Sequence, residues 1–102
     1  MIHSDTCPIC IEFMRQVGRA YDAHKTGLDI PLKVLDIDDV DGRRFLDMAI
    51  YNDRIKQVPG FPTFILMSHG KEIDRIVGYS TKERFYEKLD AIVKKHVTDL
   101  AD

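Results

Sequence analysis

The sequence predicts an α/β domain in which three helices flank a mixed four-stranded sheet, in the order β-α-β-α-β-β-α. Apolar residues recur at helical spacing near both ends of the chain and once in its middle. Between these segments lie short apolar runs typical of strands, and the last two are close enough to form a hairpin. Helices between the early strands favour parallel pairing and a hairpin is antiparallel, so we expect a mixed sheet.

The chain opens with a very short apolar stretch, Met1-Ile2, which predicts a short or truncated first strand. The first helix is predicted over residues 8–25, with Pro8 in its first turn and Gly27 at its end. Its apolar face repeats at helical spacing and consists of Cys10, Met14, Val17 and Tyr21. Its candidate N-caps are Ser4, Asp5 and Thr6.

A buried strand is predicted over residues 32–37 and a second helix over 42–54, with Asp41 as its N-cap. The side chains expected on the inner side of this helix are Phe45, Met48 and Ala49. The acidic run before the helix does not fit a calcium loop, because Ile37 and Met48 fall where that loop needs carboxylates. We therefore expect a solvated loop there and no metal.

Residues 58–62 include two prolines, so this stretch cannot be helical. Residues 63–67 and 72–77 predict two strands joined through the turn 68–71. The capping box Ser80-Thr81-Lys82-Glu83 then opens the last helix. The inner face of this helix is expected to carry Phe85, Leu89, Val93 and Val97.

The composition indicates a single domain over residues 1–102. Lys and Arg total 15 against 17 Asp and Glu, a balance that gives no argument for binding nucleic acid. The longest apolar run, 64–67, is too short to span a membrane. No secretory leader is readable at the start, so either the protein is cytosolic or a leader was removed, and we suspect that residues preceding Met1 are missing.

The informative motif is Cys7-Pro8-Ile9-Cys10 at the predicted start of the first helix. Two thiols at this spacing can close a small disulfide, and the free N–H groups of a helix N-terminus stabilise a thiolate. Cys7 is therefore the candidate nucleophile, and Cys10, one turn further in, is the candidate resolving thiol. The alternative is that two small apolar residues share one helix without redox chemistry.

Further along, Phe61-Pro62 stands between a loop and the start of a strand, where a cis peptide bond is a candidate. Such a bond could present the backbone of Phe61 to an extended peptide. The alternative is a trans proline that merely ends the loop.

These motifs, in this order over nearly the whole chain, resemble the thioredoxin superfamily: Cys7-Pro8-Ile9-Cys10, Phe61-Pro62-Thr63 and Val77-Gly78-Tyr79. The resemblance implies a thioredoxin-like fold and a cis peptide at Pro62. It also implies that Cys7, Pro62 and the Val77-Gly78 turn lie together as a substrate-docking surface, lined by Ile9 and Phe61. Docking would combine strand-like backbone hydrogen bonds with apolar contact.

Departures from the family pattern indicate which kind of thioredoxin-like protein to expect. Pro8 after the first cysteine is similar to glutaredoxins and periplasmic disulfide oxidoreductases, but Ile9 replaces their usual Tyr or His. One source of thiolate stabilisation is thereby absent, so we do not expect a strong oxidant. The segments 63–67 and 75–79 resemble thioredoxin-like proteins encoded with bacterial sulfur-oxidation systems, which are periplasmic reductases.

We therefore expect a thiol–disulfide oxidoreductase that exchanges the Cys7–Cys10 pair with protein disulfides in the reducing direction, as a monomer without an organic cofactor. It requires an electron donor that the sequence does not identify. The periplasm is the favoured compartment, and the cytoplasm is the alternative. The rival hypothesis is a binding module whose cysteines hold a metal or a partner, although no paired histidines support a zinc site. His3 could stabilise the Cys7 thiolate if close, or be a surface residue.

Overall fold

A computed structural model describes residues 1–26 and 28–100. Four strands form one mixed sheet: β1 (Ile2–His3), β2 (Leu35–Asp36), β3 (Thr63–Ser68) and β4 (Lys71–Val77). The helices are α1 (Pro8–Gln16), α2 (Val40–Tyr51), α3 (Lys82–Lys95) and the short α4 (Val97–Leu100). No helix in these two ranges is long and apolar enough to cross a membrane.

The strands lie in the order β2-β1-β3-β4. β1 is parallel to β2 and antiparallel to β3, and β3 is antiparallel to β4, so the predicted mixed sheet is confirmed. The hairpin between β3 and β4 is also confirmed. Its turn, His69-Gly70, places both residues at positive φ, which glycine adopts without steric cost.

The predicted strand over 32–37 is reduced to Leu35–Asp36 because its neighbour β1 is equally short. The backbone N–H of Leu35 donates to Met1, and that of Ile37 donates to His3, at 2.8 and 3.0 Å. A strand can extend only as far as its neighbour offers hydrogen-bonding groups. The two-residue length of β1 therefore sets the length of β2.

The first helix ends earlier than predicted, at Gln16 rather than near residue 25. Two short 3₁₀ turns follow at Gly18–Ala20 and Ala23–Thr26, and the predicted end at Gly27 lies outside the described residues. The chain changes from α-helix to 3₁₀ turn by Gly18, and the hydroxyl of Tyr21 donates a hydrogen bond to the carbonyl of Ile30 at 2.7 Å. Tyr21, whose spacing suggested a longer helix, therefore lies beyond the end of α1 and stabilises the segment that follows it.

The second helix begins two residues earlier than predicted, and Asp39 rather than Asp41 is its N-cap. Gly42 brings α2 against β2 so closely that a Cβ there would lie 2.2 Å from the carbonyl oxygen of Asp36. This contact fixes which side of α2 faces the sheet. The predicted inner position of Ala49 is confirmed, but Phe45 and Met48 are exposed by 62% and 53%, so their inner placement was wrong.

The last helix starts one residue later than the capping box suggested, because Thr81 rather than Ser80 accepts the hydrogen bond from the N–H of Arg84, at 3.2 Å. Its predicted inner residues Phe85, Leu89 and Val93 are buried. Val97 lies beyond its end in the separate α4 and is exposed, which corrects that part of the prediction.

Two apolar clusters cover the opposite faces of the sheet, because neighbouring residues of a strand point to opposite sides. The first cluster packs α1 and α3 against the sheet and contains Met1, Cys10, Phe13, Val17, Phe64, Ile76, Phe85, Leu89 and Val93. The second cluster packs α2 on the other face and contains Ile2, Leu46, Ala49 and Ile55. The cysteine helix and α2 therefore lie on opposite sides of the sheet.

Phe13 is the centre of the first cluster. It is fully buried, and its ring lies 4.6, 5.1 and 5.0 Å from the rings of Phe64, Tyr79 and Phe85. These distances and tilted orientations are those that aromatic pairs prefer.

We expect Phe13→Ala to lower the free energy of unfolding by about 3–5 kcal/mol, because it leaves a cavity among rigid aromatic neighbours. The control is Phe45→Ala, which removes the same side chain from an exposed position and should change stability by less than about 0.5 kcal/mol. Urea unfolding of both variants measures the difference. Equal losses would show that Phe13 does not organise this core.

Candidate active site

Cys7 and Cys10 stand at the start of α1 and are bonded to each other as a disulfide, with Cα atoms 5.2 Å apart. Cys7 is the N-cap of the helix, and its Sγ accepts a hydrogen bond from the backbone N–H of Cys10 at 3.1 Å. Pro8 follows in the first turn, where the missing N–H costs nothing. The sulfur of Cys7 thus lies where the free N–H groups and the helix dipole stabilise negative charge.

The two sulfurs differ in access. Cys10 belongs to the first core cluster and is completely buried, whereas Cys7 packs against the edge of that cluster and is half-buried. An attacking or attacked sulfur from another polypeptide can therefore reach Cys7 and not Cys10. The roles of nucleophile for Cys7 and resolving thiol for Cys10 stay a prediction, and this difference in access is the observation on which they rest.

The loop before Cys7 is held by Asp38, which the sequence analysis treated only as part of a solvated loop. Asp38 accepts hydrogen bonds from the hydroxyl of Ser4 at 2.8 Å and from the N–H of Asp5 at 2.7 Å. These bonds hold the pKa of the Asp38 carboxyl below its usual value. The N-cap of α1 is Cys7, so the prediction that Ser4, Asp5 or Thr6 caps this helix was wrong.

The position of Asp38 explains how it could have been found. It follows β2, which runs parallel to β1, and the carboxyl ends of two parallel strands meet at one edge of the sheet. Ser4 follows β1 at the same edge, directly before the cysteine motif. A polar residue after each of two neighbouring strands was the available signal.

His3 lies at the same edge, half-buried, beside two carboxyl groups. One ligand atom from each of His3, Asp5 and Asp36 lies within 4.8 Å of the others, and these residue types can bind a divalent cation. Asp5 and Asp36 already contact each other, and the hydrogen bond between their carboxyl groups raises the pKa of Asp5. Within the described ranges, this set is the only one of its kind, and it does not include either cysteine.

The second predicted part of the site surrounds Pro62. The Phe61–Pro62 peptide bond is cis, the geometry that the family resemblance implied. The N–H of Gly78 donates to the carbonyl of Pro62 at 2.8 Å, and Thr63 pairs with Val77 in the sheet. The structure therefore brings Pro62 and the Val77-Gly78 turn together.

Tyr79 connects this turn to the cysteine helix. Its ring packs against Phe13, and its hydroxyl donates a hydrogen bond to the side chain of Gln16, both on α1. Phe61 and Cys7 both pack against the first core cluster. The segments that carry the cysteines, the proline and the turn thus all pack against the first core cluster.

Exposed apolar side chains flank these segments. Ile9 is 48% exposed and Val77 57% exposed, while Phe61 is half-buried and Pro62 is fully buried. Ile11, which the sequence analysis did not single out, is 59% exposed on the same helix. The available signal was that Ile11 is apolar but does not belong to the predicted apolar face of the helix.

The chain leading to Pro62 is held by an ion pair on β4. Glu72 accepts hydrogen bonds from Arg75 at 2.6 and 2.7 Å, and Arg75 also donates to the carbonyls of Lys56 and Gln57. Glu72 is tied to the same segment through the N–H of Lys56 at 3.0 Å. Partial burial raises the pKa of Glu72, but the bonds from Arg75 and Lys56 outweigh it and hold the pKa below its usual value.

A family model described as a thioredoxin-like domain matches residues 1–92 of the chain. The chain belongs to this family. No significant match was found among curated proteins or among solved structures. The thioredoxin-like match covers all four strands and the cysteine motif. The narrower similarity to sulfur-oxidation proteins stays a prediction.

In this thioredoxin-like domain, we expect reduced Cys7 to alkylate faster than Cys10 at neutral pH, with an apparent pKa below the ordinary thiol value of about 8.5. The helix N-terminus stabilises the Cys7 thiolate, and burial shields Cys10. Iodoacetamide labelling against pH, with each cysteine resolved by mass spectrometry, measures both rates. In urea, Cys7 and Cys10 should be alkylated at similar rates. Equal rates in the native protein would contradict the assignment of Cys7 as the more reactive thiol.

We expect Glu72→Ala to cost about 1–3 kcal/mol, because it leaves the partly buried Arg75 without its partner. The matched control is Glu12→Ala, which breaks an Arg–Glu pair of the same spacing whose side chains are 68% and 44% exposed and which should matter little. Because the pKa of Glu72 is lowered on folding, its contribution is present at neutral pH and lost as pH falls through that pKa. The difference in free energy of unfolding between wild type and Glu72→Ala should therefore be smaller at acidic pH than at neutral pH, as urea unfolding at the two pH values would measure.

Proposed function

We propose that this thioredoxin-like domain is a thiol–disulfide oxidoreductase that reduces disulfides in other proteins. The observation that carries the proposal is the disulfide at the start of α1, with one sulfur accessible and the other buried. A thioredoxin-like domain with such a pair has a general thiol–disulfide role. The direction of exchange and the residues in each role are the proposed part.

The first step starts from the reduced pair. Cys7, deprotonated at the helix N-terminus, attacks one sulfur of a substrate disulfide. A bond forms between Cys7 and that sulfur while the substrate disulfide breaks, and the departing substrate thiolate takes a proton from water. The product is a mixed disulfide that joins the two proteins through Cys7.

The second step uses the buried thiol. Cys10 loses its proton and attacks the Sγ of Cys7, which is held beside it by the helical spacing. The mixed disulfide breaks, the substrate leaves with both sulfurs reduced, and the Cys7–Cys10 disulfide remains. A dithiol donor must then return two electrons to this disulfide, so the cycle needs a partner but no organic cofactor.

Substrate docking is proposed to use the exposed apolar side chains around the pair. Ile9 is exposed on the first turn of α1 and Val77 at the end of β4, and Gly78 leaves room at the turn, since a Cβ there would meet nothing within 4 Å. An unfolded or extended segment next to a disulfide suits such a surface. The apolar Ile9 places no positive charge near the Cys7 thiolate, which supports a reductase over a strong oxidant.

The compartment belongs to the same proposal. We favour the periplasm, where protein disulfides are abundant substrates, and keep the cytoplasm as the alternative.

The test is the reduction of insulin disulfides with dithiothreitol as electron donor. We expect Cys7→Ser to lose at least about a hundredfold in rate, because no thiolate remains at the helix N-terminus. Cys10→Ser, reduced beforehand and mixed with insulin in the absence of dithiothreitol, should accumulate a mixed disulfide with the substrate, visible on a non-reducing gel and removed by added thiol. Cys10→Ala should behave in the same way, which separates the loss of the resolving thiol from the cost of burying a hydroxyl group.

Two results would contradict the proposal. One is full activity in Cys7→Ser, which would remove the assigned nucleophile. The other is a wild-type protein that is inactive on disulfides but binds zinc with about one ion per chain, the outcome expected of a binding module.

A further inference from the structure

The outer face of α2 carries a row of side chains that no other part of the described chain covers. Val40 and Tyr51 are 69% and 81% exposed, and Arg44 and Asp47 between them are also exposed. Helical spacing of four, three and four residues places these side chains in one stripe on the side of α2 away from the sheet. Large apolar residues at both ends of such a stripe mark an interaction surface.

The order of these residues is symmetric about the middle of the helix. Val40 and Tyr51 lie at equal distances from the midpoint of α2, and so do Arg44 and Asp47. An antiparallel copy of the same helix, related by a two-fold axis through that midpoint, would place Val40 against Tyr51 and Arg44 against Asp47. Apolar residues then meet apolar residues, and opposite charges meet twice.

The charges on the stripe support this pairing. Asp47 lies 3.5 Å from Arg43 of its own helix, whereas Arg44 makes no ion pair with any residue in the described ranges. Arg44 can therefore pair with Asp47 of a second copy without giving up an ion pair within its own chain. Antiparallel alignment of two helices also brings opposite ends of their dipoles together.

The surface beside the stripe has room for a partner. A groove of about 420 Å³ runs along α2 next to Val40 and is lined by Ile37 and Met48 as well as by the charged residues of the stripe. In the two-fold arrangement, the ring of Tyr51 from the partner lies at this groove.

We propose that a second copy of this chain binds here, through antiparallel packing of the two α2 helices. The contact lies on the sheet face opposite α1, so both cysteine pairs stay open to substrate. A single pair of 12-residue helices buries less than the roughly 800 Å² per partner of a standard interface. The dimer is therefore reversible, and the monomer expected from the sequence is its dilute form.

The test is sedimentation equilibrium of the full chain from micromolar to millimolar concentration, at low salt. Wild type should show a mass that rises from monomer to dimer. Arg44→Asp and Asp47→Arg should each weaken dimerisation by about tenfold or more, because like charges then face each other twice. An equimolar mixture of the two variants should dimerise again, since each arginine at 44 or 47 meets an aspartate of the other copy.

The control is Arg84→Asp, which makes the same charge change on the exposed side of α3 and should leave dimerisation unchanged. A wild-type chain that stays monomeric at millimolar concentration overturns the proposal and leaves this face to another protein. A dimer that is insensitive to Arg44→Asp, or variants that fail to associate when mixed, overturn the antiparallel arrangement. None of these results depends on the cysteine pair, so they are separate from the test of the proposed function.

Discussion

Burial of the inner face of α1 determines how the two cysteines are presented. Cys10 and Phe13 lie on this face and are completely enclosed by α3 and the sheet. With that face fixed, Cys7 at the N-cap lies at the edge of the core and stays partly accessible. The difference in access between two chemically identical thiols therefore arises from packing, and the proposed roles of the two thiols rest on that difference.

The same core also holds the other segments of the site. Tyr79 packs on Phe13 and follows the Val77-Gly78 turn, and that turn is hydrogen-bonded to Pro62. A displacement of α1 would thus also displace the Val77-Gly78 turn and Pro62. The candidate site consists of three separate stretches of chain, and the aromatic cluster around Phe13 fixes their positions relative to one another.

Much of this arrangement could be predicted from local sequence. The cysteine motif at a helix start, the β3–β4 hairpin and the inner face of α3 depend on spacing and turn residues that a single stretch of chain contains. The family resemblance added the thioredoxin-like fold, the cis bond at Pro62 and the meeting of Pro62 with the Val77-Gly78 turn.

The features that escaped prediction depend on contacts between distant parts of the chain. The face of α2 turned to the sheet is fixed by the approach of Gly42 to the Asp36 carbonyl, which hydrophobic spacing does not reveal. Asp38 and Glu72 look like ordinary surface acids in the sequence. Their roles come from partners far along the chain, Ser4 in one case and the backbone of Lys56 in the other.

The complete burial of Cys10 has a consequence for oxidative damage. Peroxide in solution reaches only Cys7, so the first oxidation product is a sulfenic acid at that position. Cys10 stands one turn away and condenses with this species, with loss of water, before further oxidation to the irreversible sulfinic acid. The outcome is the same Cys7–Cys10 bond that the proposed turnover produces, so an oxidant converts the protein to a disulfide form that a dithiol donor can reduce again.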